Sequence, residues 1–146
     1  MNIFIGDILF PVMDEIGVML YGFDEATARK VKEYLEERNG KDVVLISGSG
    51  REGDMISDIL GDEEHSVFED VTDPRIVMFL GFDGPGIHAS MDSFPSFEGK
   101  ERPIFCTPTE QNIGWTLNGL IKDLMEEREY FRNRDMELRK AKPGEQ

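Results

Sequence analysis

The serine- and glycine-rich segment from Ser47 to Asp54 has the residue types of an anion-binding loop. Its glycines, at 48, 50 and 53, allow sharp turns that would present backbone amides to an anion, and Arg51 would add a positive charge. The spacing matches neither G-x-G-x-x-G nor a Walker loop, because no Gly-Lys-Ser/Thr follows. A flexible turn without a ligand therefore explains the segment more simply.

A second polar segment, Cys106 to Thr116, follows the last predicted strand, where α/β proteins place many of their site residues. Cys106 has no CxxC partner, so disulfide exchange is not expected. A structural interpretation needs no ligand, because Thr109 would cap a turn, Asn112 would hold the loop and Trp115 would seal the core end of the next helix. We favour this interpretation over a binding role.

No residue is assigned a catalytic role. His65 and His88 are the only possible imidazole bases, and neither has neighbours that identify a catalytic triad. If the strands are parallel, the polar residues that follow them would lie along one edge of the sheet, where a small ligand would bind. The candidate ligand-binding residues are Ser47, Gly48, Ser49, Gly50, Arg51, His88, Thr107, Thr109 and Asn112.

An acidic stretch from Glu52 to Asp73 contains nine carboxylates, one histidine and no lysine or arginine. Carboxylates and histidine are ligands for divalent ions. The spacing of a calcium-binding loop is absent, and neighbouring acids such as Glu63 and Glu64 need not converge. We therefore expect a solvated, mobile face, with no metal site and no cofactor.

The elements that would position these segments alternate short apolar runs with amphipathic stretches. The β-α-β-α-β-α-β-α order predicts an α/β fold, a small three-layer sandwich with a mainly parallel four-stranded sheet. The predicted strands are 18–21, 43–46, a run that begins at 76, and 103–106, and the predicted helices are 25–38, 85–94 and 117–135.

One strand-to-helix corner occurs twice. Residues 18–24 read VMLYGFD and residues 77–83 read VMFLGFD, with five of seven positions identical at an offset of 59 residues. The repeat has two explanations, a duplicated unit or convergence on a common turn. In either case we expect Asp24 and Asp83 to cap the helices that follow them rather than to act as catalytic acids.

An apolar N-terminal arm, residues 1–16, precedes the single predicted domain, 17–135, and a polar tail, 136–146, follows it. The arm lacks the basic residues of a signal peptide and is too short to span a bilayer. Pro11 fits an edge strand better than a central one. We expect the arm to cover a sheet edge or a helix face, of its own chain or of a second copy, and we expect a homodimer.

The composition predicts an acidic, soluble protein of the cytoplasm. Sixteen basic and thirty acidic residues give a formal net charge of -14, which repels nucleic acid and anionic lipid. We therefore expect no nucleic-acid partner and no membrane partner. The single cysteine excludes an internal disulfide framework and a cysteine-rich zinc site.

The segments VMLYGFDEATARKVKEYLEE and TPTEQNIGWTLNGLIKDLMEEREYF resemble a family of small bacterial and archaeal proteins, the domain of unknown function 3783. The family tends to place Asn beside Trp, whereas two residues separate them here, and Gly119 replaces the acid of a capping box. The resemblance implies a fold and a size, and no activity. It covers residues 17 to 131 and is carried by Tyr21, Gly22, Phe23, Thr107, Thr109, Asn112, Trp115 and Thr116.

Two classes of function stay open. The lack of an assembled catalytic set favours a non-catalytic binding or accessory domain that acts through protein–protein contacts. The alternative is a small ligand-binding domain or enzyme that uses the loops at the carboxyl ends of the strands. One concave pocket at those loops would favour the alternative, whereas loops filled by Phe82 and Trp115 would favour the binding domain.

Overall fold

The structure is a computed structural model that describes residues 2–5, 8–11, 16–97 and 99–140, with side chains described for 16–97 and 99–139. A four-stranded sheet with helices on both faces forms the domain, and a short hairpin precedes it. The elements are β1 (Asn2–Ile5), β2 (Ile8–Pro11), β3 (Ile16–Tyr21), α1 (Glu25–Asn39), β4 (Val43–Ser47), α2 (Ile56–Leu60), β5 (Ile76–Leu80), α3 (Gly84–Asp92), β6 (Ile104–Cys106), a 3-10 turn (Asn112–Gly114) and α4 (Leu117–Lys140).

The N-terminal arm contains two strands rather than one. β1 and β2 pair antiparallel in a two-stranded sheet of their own, with Asn2 opposite Pro11. Pro11 therefore lies at the end of a hairpin strand. The prediction that the arm's side chains cover an edge or a helix face falls outside the described residues, as does the tail from 141 to 146.

The four-stranded sheet has the order β4-β3-β5-β6. β3 pairs with β4 and β5 pairs with β6 in parallel, so the prediction of a mainly parallel sheet in an α/β fold is confirmed. The central pair is antiparallel, with Tyr21 opposite Ile76 and Gly17 opposite Leu80. The sheet is therefore mixed.

The path of the chain between β4 and β5 explains the antiparallel pair. After α2, the chain passes the carboxyl end of β3, where Val71 N–H donates to Gly22 O at 2.9 Å. β5 begins five residues later, at Ile76, beside the end of β3. Because β5 enters the sheet at the end where β3 leaves it, the two strands run in opposite directions.

Two separate apolar clusters, one on each face of the sheet, confirm the three-layer arrangement. Alternate residues of β3 contribute to opposite faces, Val18 and Leu20 to one and Met19 and Tyr21 to the other. Helices α1 and α3 cover the first face, and α2, the 3-10 turn and α4 cover the second. The side chains that these elements bury include Ala28, Val31, Leu35, Ile56, Ile59, Ile113, Leu117 and Leu120.

The two halves of the sheet repeat one β-α-β unit. β3-α1-β4 and β5-α3-β6 each form a parallel pair with a crossover helix, and both helices pack on the same face. Met19 lies opposite Met78 at the centre of the antiparallel pair. These two methionines are equivalent positions of the sequence repeat, so the repeat corresponds to an approximate two-fold axis between β3 and β5.

Both corners of the repeat begin their helices in the same way, as predicted. Asp24 Oδ1 accepts from Thr27 N–H at 2.7 Å, and Asp83 Oδ1 accepts from Gly86 N–H at 2.7 Å. Each aspartate therefore caps an otherwise unpaired amide of the first helical turn. The bond from the Thr27 amide holds the pKa of Asp24 below its usual range, as expected for a carboxylate cap.

Replacing Asp24 with alanine is expected to lower the free energy of unfolding by about 1 kcal/mol, because the Thr27 amide loses its acceptor. Urea unfolding followed by circular dichroism measures the loss. Asp24→Asn, which keeps an acceptor oxygen, should cost less. Equal losses for the two variants would show that the cap bond is not what stabilises this corner.

Helix α4 is longer than predicted, since it reaches Lys140 rather than 135. Leu117, Leu120 and Ile121 are buried against the sheet, which agrees with the predicted apolar face. The predicted order includes a helix between the second and third strands of the sheet without giving its bounds, and the structure places the short helix α2 there, within the acidic stretch. Its Ile56 and Ile59 are fully buried, so part of that stretch belongs to the core.

Candidate functional site

The serine hydroxyls of the loop after β4 are engaged by the backbone. Ser47 Oγ donates to Val67 O and accepts from Ser49 N–H, and Ser49 Oγ accepts from Glu69 N–H at 3.1 Å. Both side chains are buried, at 0% and 2% exposure. These bonds hold the loop against the segment 67–69, so the two serines have a structural role.

Arg51 is held by carboxylates on both sides. Its Nε donates to Asp54 Oδ2 at 2.7 Å and its Nη1 to Asp62 Oδ2 at 3.0 Å. The guanidinium is thus already neutralised, which weakens it as an anion ligand. Gly48 lies close to the core, because a Cβ there would be 2.9 Å from Met19 Sδ. Gly50 has a φ of +76°, which places it in the left-handed region that favours glycine.

The loop after β6 holds itself together through Asn112. The Asn112 side chain is buried; its Nδ2 donates to Thr107 O at 3.0 Å and its Oδ1 accepts from Thr109 N–H at 2.8 Å. Thr109 Oγ1 accepts from Asn112 N–H in return, at 3.0 Å. The structural interpretation of Asn112 and Thr109 is therefore confirmed.

Trp115 does not seal the core end of α4, so that prediction is wrong. Its side chain is 36% exposed, and Ile113, which is 3% exposed, fills the core beside the helix instead. Thr116 caps α4 by accepting from Gly119 N–H at 3.1 Å. The N-cap thus works although Gly119 has no carboxylate to complete a capping box.

The candidate ligand-binding residues do not converge at one edge of the sheet. Ser47 to Arg51 follow β4 at the end where β3 also finishes, whereas Thr107 follows β6 at the opposite end, because β3 and β5 are antiparallel. His88 is exposed on α3 and belongs to neither loop. The expectation of a shared edge is therefore wrong, and its cause is the direction of β5.

Two other groups are poorly suited to chemistry at neutral pH. Burial raises the pKa of the Cys106 thiol to about 12, so the thiolate that a nucleophile needs is scarce. Burial, followed by the bond to Glu52, raises the pKa of Tyr21, whose hydroxyl donates to Glu52 Oε2 at 3.1 Å.

The acidic stretch is tied to the domain by ion pairs. Lys100 Nζ lies 2.6 Å from Asp70 Oδ2, and Arg128 binds both oxygens of Asp73, at 2.9 and 2.7 Å. Arg128 thereby holds the pKa of Asp73 below its usual range. Among the residues that the structure describes, no three histidine, cysteine or acidic side chains are grouped to hold a metal ion.

Arg75 is a buried charge that no sequence pattern singles out. Its side chain is 3% exposed, its guanidinium lies 4.7 Å above the Phe23 ring, and its Nη2 donates to Glu101 O at 2.8 Å. Burial lowers its pKa. Its Nε has no hydrogen-bond partner within the described part of the chain. The aromatic rings and the carbonyl therefore hold this cation, and no carboxylate among the described residues forms an ion pair with it.

A groove beside β4 is the concave feature that sequence reasoning missed. It has a volume of about 510 Å³, in the range of common binding pockets, and it lies between the outer edge of β4, one side of α1 and the segment 63–68. In the described residues β4 pairs with β3 alone, so its other edge faces this groove. The lining residues are Glu25, Arg29, Lys32, Glu36, Asp42, Val43, Val44, Leu45, Glu63, His65, Ser66 and Phe68.

The groove's floor and walls differ in character. Val44 and Leu45 are half-buried on the floor, and two ion pairs within α1, Glu25–Arg29 at 3.0 Å and Lys32–Glu36 at 2.8 Å, form one wall. On the other wall His65 Nε2 lies 2.8 Å from Ser49 O, which joins the groove to the loop after β4. The i, i+4 spacing of the α1 charges was the available signal, but it is also typical of a solvated helix face.

Comparison with known proteins finds a family model that matches part of the chain. No curated protein and no solved structure matches the chain. None of the helices in the described residues is sufficiently long and apolar for a membrane span. The family match begins at Arg75 and includes β5, α3, β6 and the loop held by Asn112, while the first corner of the repeat precedes it. Residues 75–131 match the family model described as Domain of unknown function (DUF3783).

Proposed function

We propose that this chain is a non-catalytic binding domain that acts through protein–protein contacts and takes up an extended segment of its partner along the outer edge of β4. The groove beside that edge is the observation that carries the proposal. An open strand edge presents backbone donors and acceptors that pair readily with another chain. The alternative, a ligand or enzyme site at the strand ends, has weaker support because the candidate residues are split between opposite ends of the sheet.

The register of the β3–β4 ladder indicates which backbone groups face the groove. Gly48 N–H donates to Leu20 O, so the groups of Val44 and Ile46 point toward β3 and those of Val43 and Leu45 point away from it. Glu36 Oε2 accepts from Val43 N–H at 3.0 Å. Leu45 is therefore the position at which a partner strand would exchange backbone hydrogen bonds with β4.

Charge favours a basic partner. The four charged residues of α1 that line the groove already form two ion pairs, whereas Asp42 and Glu63 are exposed and contribute carboxylates to it. The chain as a whole carries -14. A strand with lysine or arginine at alternate positions would approach faster than a neutral or acidic strand and would meet these carboxylates.

A short peptide of alternating lysine and valine is a direct probe. We expect it to protect the Leu45 amide from hydrogen exchange and to shift the NMR resonances of β4, because it can add a strand. The same peptide with every backbone nitrogen methylated carries the same charge but has no N–H to donate on either edge, and its methyl groups block close pairing with a strand, so it should leave Leu45 unprotected. Equal effects of the two peptides would show that charge attraction alone explains the binding, and this would contradict strand addition.

The matched protein variant is Leu45→Pro. It removes the outward donor, and edge strands tolerate proline where the N–H faces away from the sheet. Circular dichroism should show an intact fold, and the lysine–valine peptide should no longer bind. If the Leu45→Pro variant bound the peptide as tightly as wild type does, the peptide would bind at a site other than the edge of β4.

We also propose that the protein acts as a homodimer in the cytoplasm. The single cysteine fits a reducing compartment, and the apolar arm of residues 1–16 supplies surface suited to covering a second copy. Symmetric dimers are the commonest oligomers. At -14 per chain, the interface must avoid the acidic stretch, since like charges oppose its burial.

A further inference from the structure

The distal half of α4 extends beyond the part of the helix that packs on the sheet. Leu117, Leu120 and Ile121 are buried, and Arg128, which pairs with Asp73, is the last residue with partial burial. Every described side chain from Glu129 to Arg139 is exposed. About three turns of helix therefore have no sheet beneath them.

The exposed half continues the core-facing stripe of the helix. Leu117, Leu124, Phe131 and Leu138 recur at intervals of seven, so they lie along one face. Leu117 and Leu124 pack in the core, whereas Phe131 is 57% and Leu138 49% exposed. Met136, also exposed, lies on a different face of the helix. The apolar pattern that anchors α4 thus continues where the described residues provide no core to cover it.

Such a segment needs a partner. A helix of about this length is marginal in water without tertiary packing, and exposed apolar side chains in a row mark contact surfaces. Its charges indicate which partner fits. Residues 126–140 hold five acidic and five basic side chains, so the segment is neutral in a chain of charge -14. A second copy would be repelled by most of the surface but not by this segment.

The order of the charges specifies a direction. Residues 126–129 carry a net charge of -2 and residues 132–140 a net charge of +2. Antiparallel pairing of two copies places each acidic part against the basic part of the other, whereas parallel pairing places like charges together. We propose that residues 124–140 of α4 pair antiparallel with the same residues of a second copy, burying Phe131 and Leu138 between the helices. This inference names the interface of the proposed homodimer and therefore rests on it.

Light scattering and sedimentation of the full chain over a range of concentrations test the interface. We expect a dimer that Phe131→Glu weakens by about tenfold or more, since it places a charge in an apolar contact. Met136→Glu is the matched control, because Met136 is similarly exposed, at 54%, the variant carries the same new charge, and Met136 lies on another face of the helix. Leu138→Glu, close to the helix end, should weaken the dimer without affecting the domain fold.

The possible failures are distinguishable. A wild-type chain that stays monomeric would overturn both the homodimer and this interface. A dimer that Phe131→Glu leaves intact, or that Met136→Glu weakens equally, would overturn the interface alone. If deletion of residues 2–13 then gave a monomer, the arm would be the contact. Circular dichroism of each variant confirms that the domain is folded.

The direction has its own measurement. A spin label at residue 139, introduced as Arg139→Cys with Cys106→Ser, should give an inter-label distance of about 20 Å or more in an antiparallel pair. Parallel helices would bring the labels to about 10 Å, the spacing of packed helices, and would contradict the proposed orientation.

Discussion

Replacing Gly22 with alanine is expected to lower the free energy of unfolding by about 3 kcal/mol. Gly22 has a φ of +89°, and a Cβ there would lie 2.9 Å from Arg75 Cγ and 3.2 Å from Pro74 O. The Pro74 oxygen is backbone, and the Arg75 side chain is held by Phe23 and by the Glu101 carbonyl, so neither neighbour moves aside freely. Urea unfolding of the purified variant measures the loss.

Gly81 is the matched control, because it occupies the equivalent place in the second corner. Its φ is +78°, but among the described residues a Cβ there would meet only Ile16 Cγ2, at 4.0 Å. Gly81→Ala should therefore carry the cost of the left-handed conformation alone, about 1 kcal/mol. The difference between the two variants isolates the close approach of Gly22 to Pro74 and Arg75. Equal losses at the two positions would show that this contact is not tight.

The local part of the fold follows from the sequence. The strand-Gly-Phe-Asp corners predicted both helix starts, because a capping carboxylate and a left-handed glycine act within a few residues. The alternation of apolar runs and amphipathic stretches predicted the α/β layers for the same reason. These features depend on neighbours along the chain, and they were confirmed at Asp24 and Asp83.

The direction of β5 required information that no local pattern contains. It depends on the path of residues 48–75, which stays at the carboxyl end of β3 and is fixed there by the bond from Val71 to Gly22. A parallel β5 would have needed a crossover to the other end of the sheet. Because the strand direction was unknown, the sequence also placed the loops after β4 and β6 at one edge, although they lie at opposite ends.

The groove was missed for a related reason. Its floor is the outer edge of β4, and only the strand order shows that β4 is an edge strand. Backbone groups are the same for nearly every residue type, so the sequence does not mark them, and the α1 charges beside the groove are typical of an ordinary solvated helix face. A site built from backbone and common charges is hard to find from residue types, whereas the polar loops that stood out in the sequence are largely engaged in local bonds.

Replacing Asn112 with alanine is expected to lower the free energy of unfolding by about 2 kcal/mol, because Thr109 N–H and Thr107 O lose their partner. Asn112 is 6% exposed, and the loop it holds leads into Ile113, a core residue beside α2 and α4. The loss should therefore appear in global urea unfolding and not only as local mobility. If the Asn112→Ala variant were as stable as wild type, the structural role of Asn112 would be contradicted. Asn112 would then again be a candidate for ligand binding.

A double-mutant cycle with Thr109 identifies the bonds responsible. Thr109→Val removes the acceptor of Asn112 N–H and should cost about 1 kcal/mol, less than Asn112→Ala because the Thr109 side chain is exposed. Both side chains hold the same turn, so once one is removed the other has less structure to stabilise. The double variant should therefore lose less than the sum of the two single losses. Strict additivity would mean that the two bonds act independently and that the turn is maintained by the packing of Ile113 instead.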